Sequence, residues 1–102
     1  YARALLRNQQ PHVAEEVLTE QSLRQPRDPH LWYLLAEVQG LSGNIVGLHQ
    51  ARAEYFILNG ILDQAEKQLR YALQLADNDY TTSARISQRM RDIQSMREML
   101  ES

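Results

Sequence analysis

An all-α fold, built as an array of about six antiparallel helices and closed by a terminal capping helix, is what this sequence predicts. Three observations carry the prediction. Apolar residues recur at steps of three and four almost throughout. No alternating run of β-branched residues marks a strand. Prolines, glycines and short polar clusters divide the pattern into pieces of helical length.

The first helix spans Tyr1 to about Gln9 and opens in the middle of an amphipathic pattern, with neither an initiator methionine nor a capping residue. The chain is therefore expected to be a piece of a longer protein. The second helix begins at Pro11, a residue whose missing N–H is harmless in a first turn, and carries Val13, Ala14, Val17, Leu18 and Leu23 on one face. Pro26 and Pro29 stop it. Asp28 before Pro29 starts a third helix with a capping carboxylate, and Leu31, Leu34, Leu35 and Val38 supply its buried stripe until Gly43 ends it.

The fourth helix runs from about Ile45 to Asn59 with Leu48, Ala51, Arg52, Tyr55 and Phe56, and Gly60 provides the left-handed stop. The fifth, about Leu62 to Ala76, has Leu62, Ala65, Leu69, Ala72, Leu73 and Leu75 as its apolar set. The polar turn Asp77-Asn78-Asp79 follows. The sixth helix, Tyr80 to Ser102, places Ile86, Met90, Ile93, Met96 and Leu100 at steps of four, three, three and four.

Composition narrows the function classes. A chain of 102 residues fits one domain and buries a thin layer between neighbouring helices, so no roomy active-site cavity is expected. Thirteen acidic against eleven basic residues argue against bulk-charge attraction of nucleic acid or acidic lipid. The cations are nearly all arginine, with Lys67 the single lysine, which suits forked bonds to carboxylates. Cysteine is absent, which removes disulfides, thiolate metal sites and thiol catalysis. No apolar run approaches the roughly 20 residues of a membrane span, so direct membrane insertion is not expected. No charged start followed by an apolar stretch marks a signal peptide.

Internal repetition is the more informative signal. Trp32-x-x-Leu35-Ala36 matches the opening of the first helix of a tetratricopeptide repeat (TPR), with alanine where glycine is frequent. Ala2 precedes Ala14 by twelve residues and Ala53 precedes Ala65 by the same twelve, the separation of the small positions on the paired helices of such a repeat. The first pair continues to Leu18 and Pro26, the second to Leu69 and Ala72. Gln9 and Gly43 stand thirty-four apart at one turn position, whereas Gly43 to Gly60 is half that step. The helix Ile45–Asn59 is thus the second helix of one unit and the first of the next, with large Leu48 where a small residue is expected. The chain divides into a partial unit over 1–27, a degenerate unit over 28–60, an overlapping unit over 45–79 and a capping helix over 80–102.

Read as one phrase, Ala51-Arg52-Ala53-Glu54-Tyr55-Phe56, Leu58-Asn59-Gly60, Leu62-Asp63-Gln64-Ala65, Gln68-Leu69 and Ala72, closed by an arginine-rich helix with Ile86, Arg89 and Ile93, resembles the C-terminal TPR domain of bacterial periplasmic HExxH metalloproteases of the beta-barrel assembly-enhancing type. The resemblance implies a periplasmic location and a docking role toward outer-membrane assembly machinery or toward the parent protease domain. No zinc motif has a counterpart here, so no catalytic residue and no cofactor is carried over. In the TPR fold the concave groove is lined by first helices, and the corresponding positions here are Arg3, Arg7, Tyr33, Glu37, Gln50, Glu54 and Ile57. Glu37 and Glu54 depart from the basic clamp that takes acidic chaperone tails, which disfavours that ligand.

Other chemistry has a plainer explanation. His12 with Glu15 and Glu16 lacks the paired histidines of a zinc helix, and acids near a helix start suit its dipole. His30 and His49 stand alone, and no phosphate loop or nucleophile elbow is present. Trp32 is expected to pack, and Met90, Met96 and Met99 to cover the last face of the array. The expectation is a protein-interaction module without catalytic activity of its own. An autonomous cytosolic TPR scaffold or assembly cofactor is the alternative.

Overall fold

A computed structural model describes residues 11–101. Its helices are α1 (Pro11–Arg24), α2 (Pro29–Ser42), α3 (Ile45–Leu58), α4 (Leu62–Leu75) and α5 (Tyr80–Glu101), with no strand among the described residues. The fold is an all-α helical array. The helix expected over Tyr1–Gln9 lies outside the described residues. The other five stand where the periodicity places them, with ends within a residue of expectation.

The breaks form for the local reasons anticipated. Asp28 caps α2, its Oδ1 accepting the His30 backbone N–H at 3.0 Å, and Pro29 occupies the first turn. Gly43 and Gly60 take φ of 86° and 75°, a left-handed geometry that any side chain would strain. Asn44 then caps α3 by accepting the Gly47 N–H at 3.0 Å. Asp79 opens α5, taking both the backbone N–H and the hydroxyl of Thr82.

Each helix packs chiefly on its chain neighbours, giving an elongated body of 48 × 30 × 20 Å. Burial falls into two clusters. The first joins α1 and α2 through Ala14, Leu18, Leu34, Leu35, Ala36 and Val38, and takes Ala51 from α3. The second joins α4 and α5 through Ala65, Leu69, Ala72, Ala76, Ile86 and Ile93, and takes Ala53 from α3. Residues two apart on a helix point about 200° apart, so α3 serves both cores with opposite faces. Ala53 and Ala65 are fully buried against each other's helices, as their matched spacing anticipated.

Four side chains assigned to buried stripes are instead exposed. On α1 the buried row is Ala14, Leu18 and Ser22, spaced by four, and Val13 and Leu23 stand off it at 40% and 73% exposure. Ser22 tolerates full burial because its hydroxyl donates to the Leu18 carbonyl. Leu75 ends α4 half-exposed while Ala76 just beyond it is buried. Leu100 is exposed because α5 has 22 residues against 14 in α4. Arg97 already pairs with Asp63 in the first turn of α4, so the residues after it, Leu100 among them, run about one turn past that helix.

Candidate docking surfaces

The structure distributes the concave-face residues over three places. Arg3 and Arg7 lie outside the described residues. Tyr33 and Glu37 share a groove between α2 and α3, Gln50 and Glu54 sit in a cleft between the two hairpins, and Ile57 borders a shallow apolar depression with Leu62, Met96 and Leu100. The division follows from helical geometry. On α3 the row facing Tyr33 and Glu37 is Leu48, Arg52 and Tyr55, while Gln50 and Glu54 belong to the other side of the same helix.

The α2/α3 groove has a volume of about 410 Å3. Its apolar walls come from Ala36, Gly40, Leu41, Leu48 and Phe56. The two helices come close at Gly40, where a Cβ would lie 3.0 Å from the terminal Cδ1 of Leu48. The small residue expected at position 48 is thus replaced by a small residue opposite it. Tyr33 and Tyr55 meet across the groove with ring centroids 5.6 Å apart and planes tilted by 53°, and Phe56 extends the set edge-on to Tyr55 at 5.8 Å. Tyr33 keeps half its surface exposed and Leu41 two thirds. Glu37 and Arg52 line the same groove, both exposed, and neither makes a hydrogen bond or ion pair with the described residues. A charge that is neither buried nor paired contributes little to folding, so both remain available to a partner.

The cleft is built differently. It runs over α3 between the α1/α2 and α4/α5 hairpins, and of its three charged side chains Glu54 and Arg89 pair with each other while Arg85 makes no side-chain hydrogen bond or ion pair among the described residues. Arg89 of α5 makes a forked pair with Glu54, Nε and a terminal nitrogen each 2.7 Å from a carboxylate oxygen, and its remaining arm reaches Asp92 at 3.1 Å. The Glu54 bonds outweigh partial burial and hold the Arg89 guanidinium charged above its ordinary range. One helix turn pair further on, Arg97 reaches Glu66 and Asp63 of α4 at 2.6 Å each. Glu54 is therefore a latch for the last helix. The Gln39 side-chain oxygen in the cleft wall is buried without a hydrogen-bond partner among the described residues, while its nitrogen points to Glu15.

Glu15, considered above beside His12 as a metal ligand, is occupied by the α2–α3 turn. Its two oxygens accept from Ser42 at 2.8 Å, Asn44 at 2.8 Å and Gln39 at 3.5 Å. Burial pushes its carboxyl upward, but the bonds from Asn44, Ser42 and Gln39, with the nearby His12, bring it below the ordinary value. No cluster of three or more metal-ligating side chains forms among the described residues. His49 is held by Gln68 at 2.7 Å and meets the Tyr71 ring at 5.4 Å with the planes tilted by 52°. Trp32 packs on the first core and donates its indole N–H to the Pro26 carbonyl at 2.9 Å, which ties the α1–α2 loop to α2.

A scan against protein-family models finds no match, and a search of curated proteins finds none either. The assignment of a surface therefore rests on geometry. Arg52, Tyr55, Leu41 and Leu48 join Tyr33 and Glu37 in lining the groove, and position counting does not reach them. Their signal was present as the spacing 48, 52, 55 on a helix that also serves a second core. No helix among the described residues is long and apolar enough to cross a membrane.

Proposed function

We propose that this chain is a protein-docking module that receives a segment of a partner protein in the α2/α3 groove. The observation that supports this reading is the juxtaposition of an open aromatic cluster, Tyr33 with Tyr55 and Phe56, and two uncommitted charges, Glu37 and Arg52. Tyrosine and arginine supply a large share of binding energy in protein interfaces, because they combine broad apolar contact with polar tips. Phe56 also packs against the second core, while Tyr33 keeps half its surface exposed and the side chains of Glu37 and Arg52 are unpaired among the described residues.

The resemblance to periplasmic HExxH metalloproteases sets the wider context of the proposal. In that context the module is periplasmic and the parent chain carries the protease. The partner is outer-membrane assembly machinery or the protease domain folded back over these helices, and nucleic acid plays no part. The upstream sequence separates this context from the autonomous scaffold. A signal peptide followed by H-E-x-x-H supports the first, and further TPR units support the second.

The groove itself is tested by affinity capture from a periplasmic extract with identification by mass spectrometry. Wild type is compared with the paired substitution Tyr33→Ser and Arg52→Glu, with Glu54→Gln as a second variant. A named partner lost with the first variant and kept with the second supports the groove. Retention of the same partner by the groove variant, with its helical circular dichroism intact, moves the contact to another face.

A further inference from the structure

The polar content of the α2/α3 groove restricts what can lie in it, and this inference rests on the docking reading above. An extended peptide presents a backbone N–H and C=O at every residue, and each must find a partner when it is covered. Apart from the charged Glu37 and Arg52 and the two tyrosine hydroxyls, the groove is lined by Ala36, Gly40, Leu41, Leu48 and Phe56, with no amide or aliphatic hydroxyl side chain and no strand edge. The cleft on the opposite side of α3 differs in this respect, since Thr19, Gln39 and Gln50 line it. A backbone laid along the α2/α3 groove would find only the polar tips of Tyr33, Glu37, Arg52 and Tyr55, too few for a donor and an acceptor at every covered residue. A helix brings its own hydrogen bonds and needs only apolar contact.

Size and charge narrow the occupant further. A stable dimer covers about 800 Å2 per partner, with about 20–30 residues a side, whereas nine residues line this groove. A short segment fits that scale better than a second copy. The two free charges lie on opposite helices, Glu37 on α2 and Arg52 on α3. A ligand with a base toward α2 and an acid toward α3 would neutralise both. We infer that the groove takes one amphipathic helix of a partner protein, with large apolar side chains at steps of three and four, a basic residue on one flank of that stripe and an acidic residue on the other.

A phage-displayed library of random 16-residue peptides selected on the 102-residue chain tests the inference directly. Recovered peptides are remeasured by fluorescence anisotropy against wild type, Tyr55→Ser, Glu37→Arg and the double exchange Glu37→Arg/Arg52→Glu, each checked for unchanged helical circular dichroism. The expected peptides carry apolar residues at the three-and-four spacing, and bind at least about tenfold more weakly to Tyr55→Ser. A proline at a central solvent-facing position weakens them by at least about tenfold, since it interrupts the helix. Glu37→Arg weakens them as well, and the double exchange recovers binding when the peptide's flanking charges are exchanged too. Peptides that depend on Tyr55 yet tolerate the proline would overturn the helical occupant and leave the docking groove standing. A selection whose peptides bind Tyr55→Ser as tightly as wild type, or that enriches no peptide, would overturn both.

Discussion

Replacing Gly47 by alanine should destabilise this protein, although a helix former is being put into a helix. Gly47 lies in the first turn of α3, and the added methyl would meet Gln39 Nε2 at 2.5 Å, Asn44 Nδ2 at 2.6 Å and Asn44 Cγ at 2.9 Å. Both side chains must retreat by about 1 Å to reach ordinary contact distance. Neither is free to do so. Asn44 caps α3 through the Gly47 N–H and donates to Glu15 at 2.8 Å, and Gln39 leans on the same carboxylate. A lost cap costs about 1 kcal/mol. Loosening a charge-assisted bond to a partly exposed carboxylate adds about 1–2 kcal/mol. Against this, the propensity gain over glycine is about 0.5–1 kcal/mol. The balance is a loss of about 2 kcal/mol, or about 10 °C in melting temperature for a domain of this size.

Thermal unfolding followed by circular dichroism at the helical band measures it. Gly40→Ala is the internal control, because there the new methyl meets only the terminal Cδ1 of Leu48 at 3.0 Å. That variant should change stability by no more than about 1 kcal/mol. A Gly47→Ala melting temperature at or above wild type would refute the reasoning and show that the Glu15 cluster does not hold its donors in place.

Four further outcomes follow from the same structure. Leu18→Ala and Ile93→Ala, each removing a side chain with 1% exposure or less, should cost about 2–5 kcal/mol in urea unfolding, whereas Leu100→Ala should stay within about 0.5 kcal/mol. Arg89→Lys replaces the fork on Glu54 by a point charge and should cost about 1 kcal/mol at low salt, the difference from wild type shrinking at high salt. Glu15 and Glu66 have folded-state pKa values below the ordinary 4.5, so the native state binds fewer protons than the unfolded chain. Their contribution is complete above that value and is lost as pH falls through it and below, and Glu15→Gln should flatten the acid limb of the urea midpoint against pH. Gly43→Ala imposes a side chain on a φ of 86° with open space around it, so the loss of about 1 kcal/mol should be purely conformational and insensitive to salt.

Most helix boundaries were legible because their causes are local. Asp28-Pro29, Gly43-Asn44 and Gly60 act within a turn of themselves, so reading the chain in order finds them. The α2/α3 groove was legible only in part, and the reason lies in α3. A helix that packs on one side has one buried stripe, and the remaining positions can be assigned by counting. Ala51 and Ala53 bury opposite faces of α3, so two strips remain between them: Gln50 and Glu54, reached by counting, line the cleft, and Arg52 and Tyr55 line the groove. Glu54 looked like a free acid because its partner Arg89 is thirty-five residues away.

By itself, the sequence determined the class of fold, the number of helices after the first, the places where the chain turns, and the alanines at which neighbours approach. These depend on periodicity and on the backbone freedom of single residues, which are properties of short segments. Only the tertiary structure decided which charges are spent and which remain open. Pairing of Glu54 with Arg89, Asp63 and Glu66 with Arg97, and Glu15 with the α2–α3 turn requires residues far apart in the chain to meet. Glu37 and Arg52, two of the charges those pairs leave unclaimed, meet beside an aromatic groove through the packing of α2 on α3 and through nothing shorter in range.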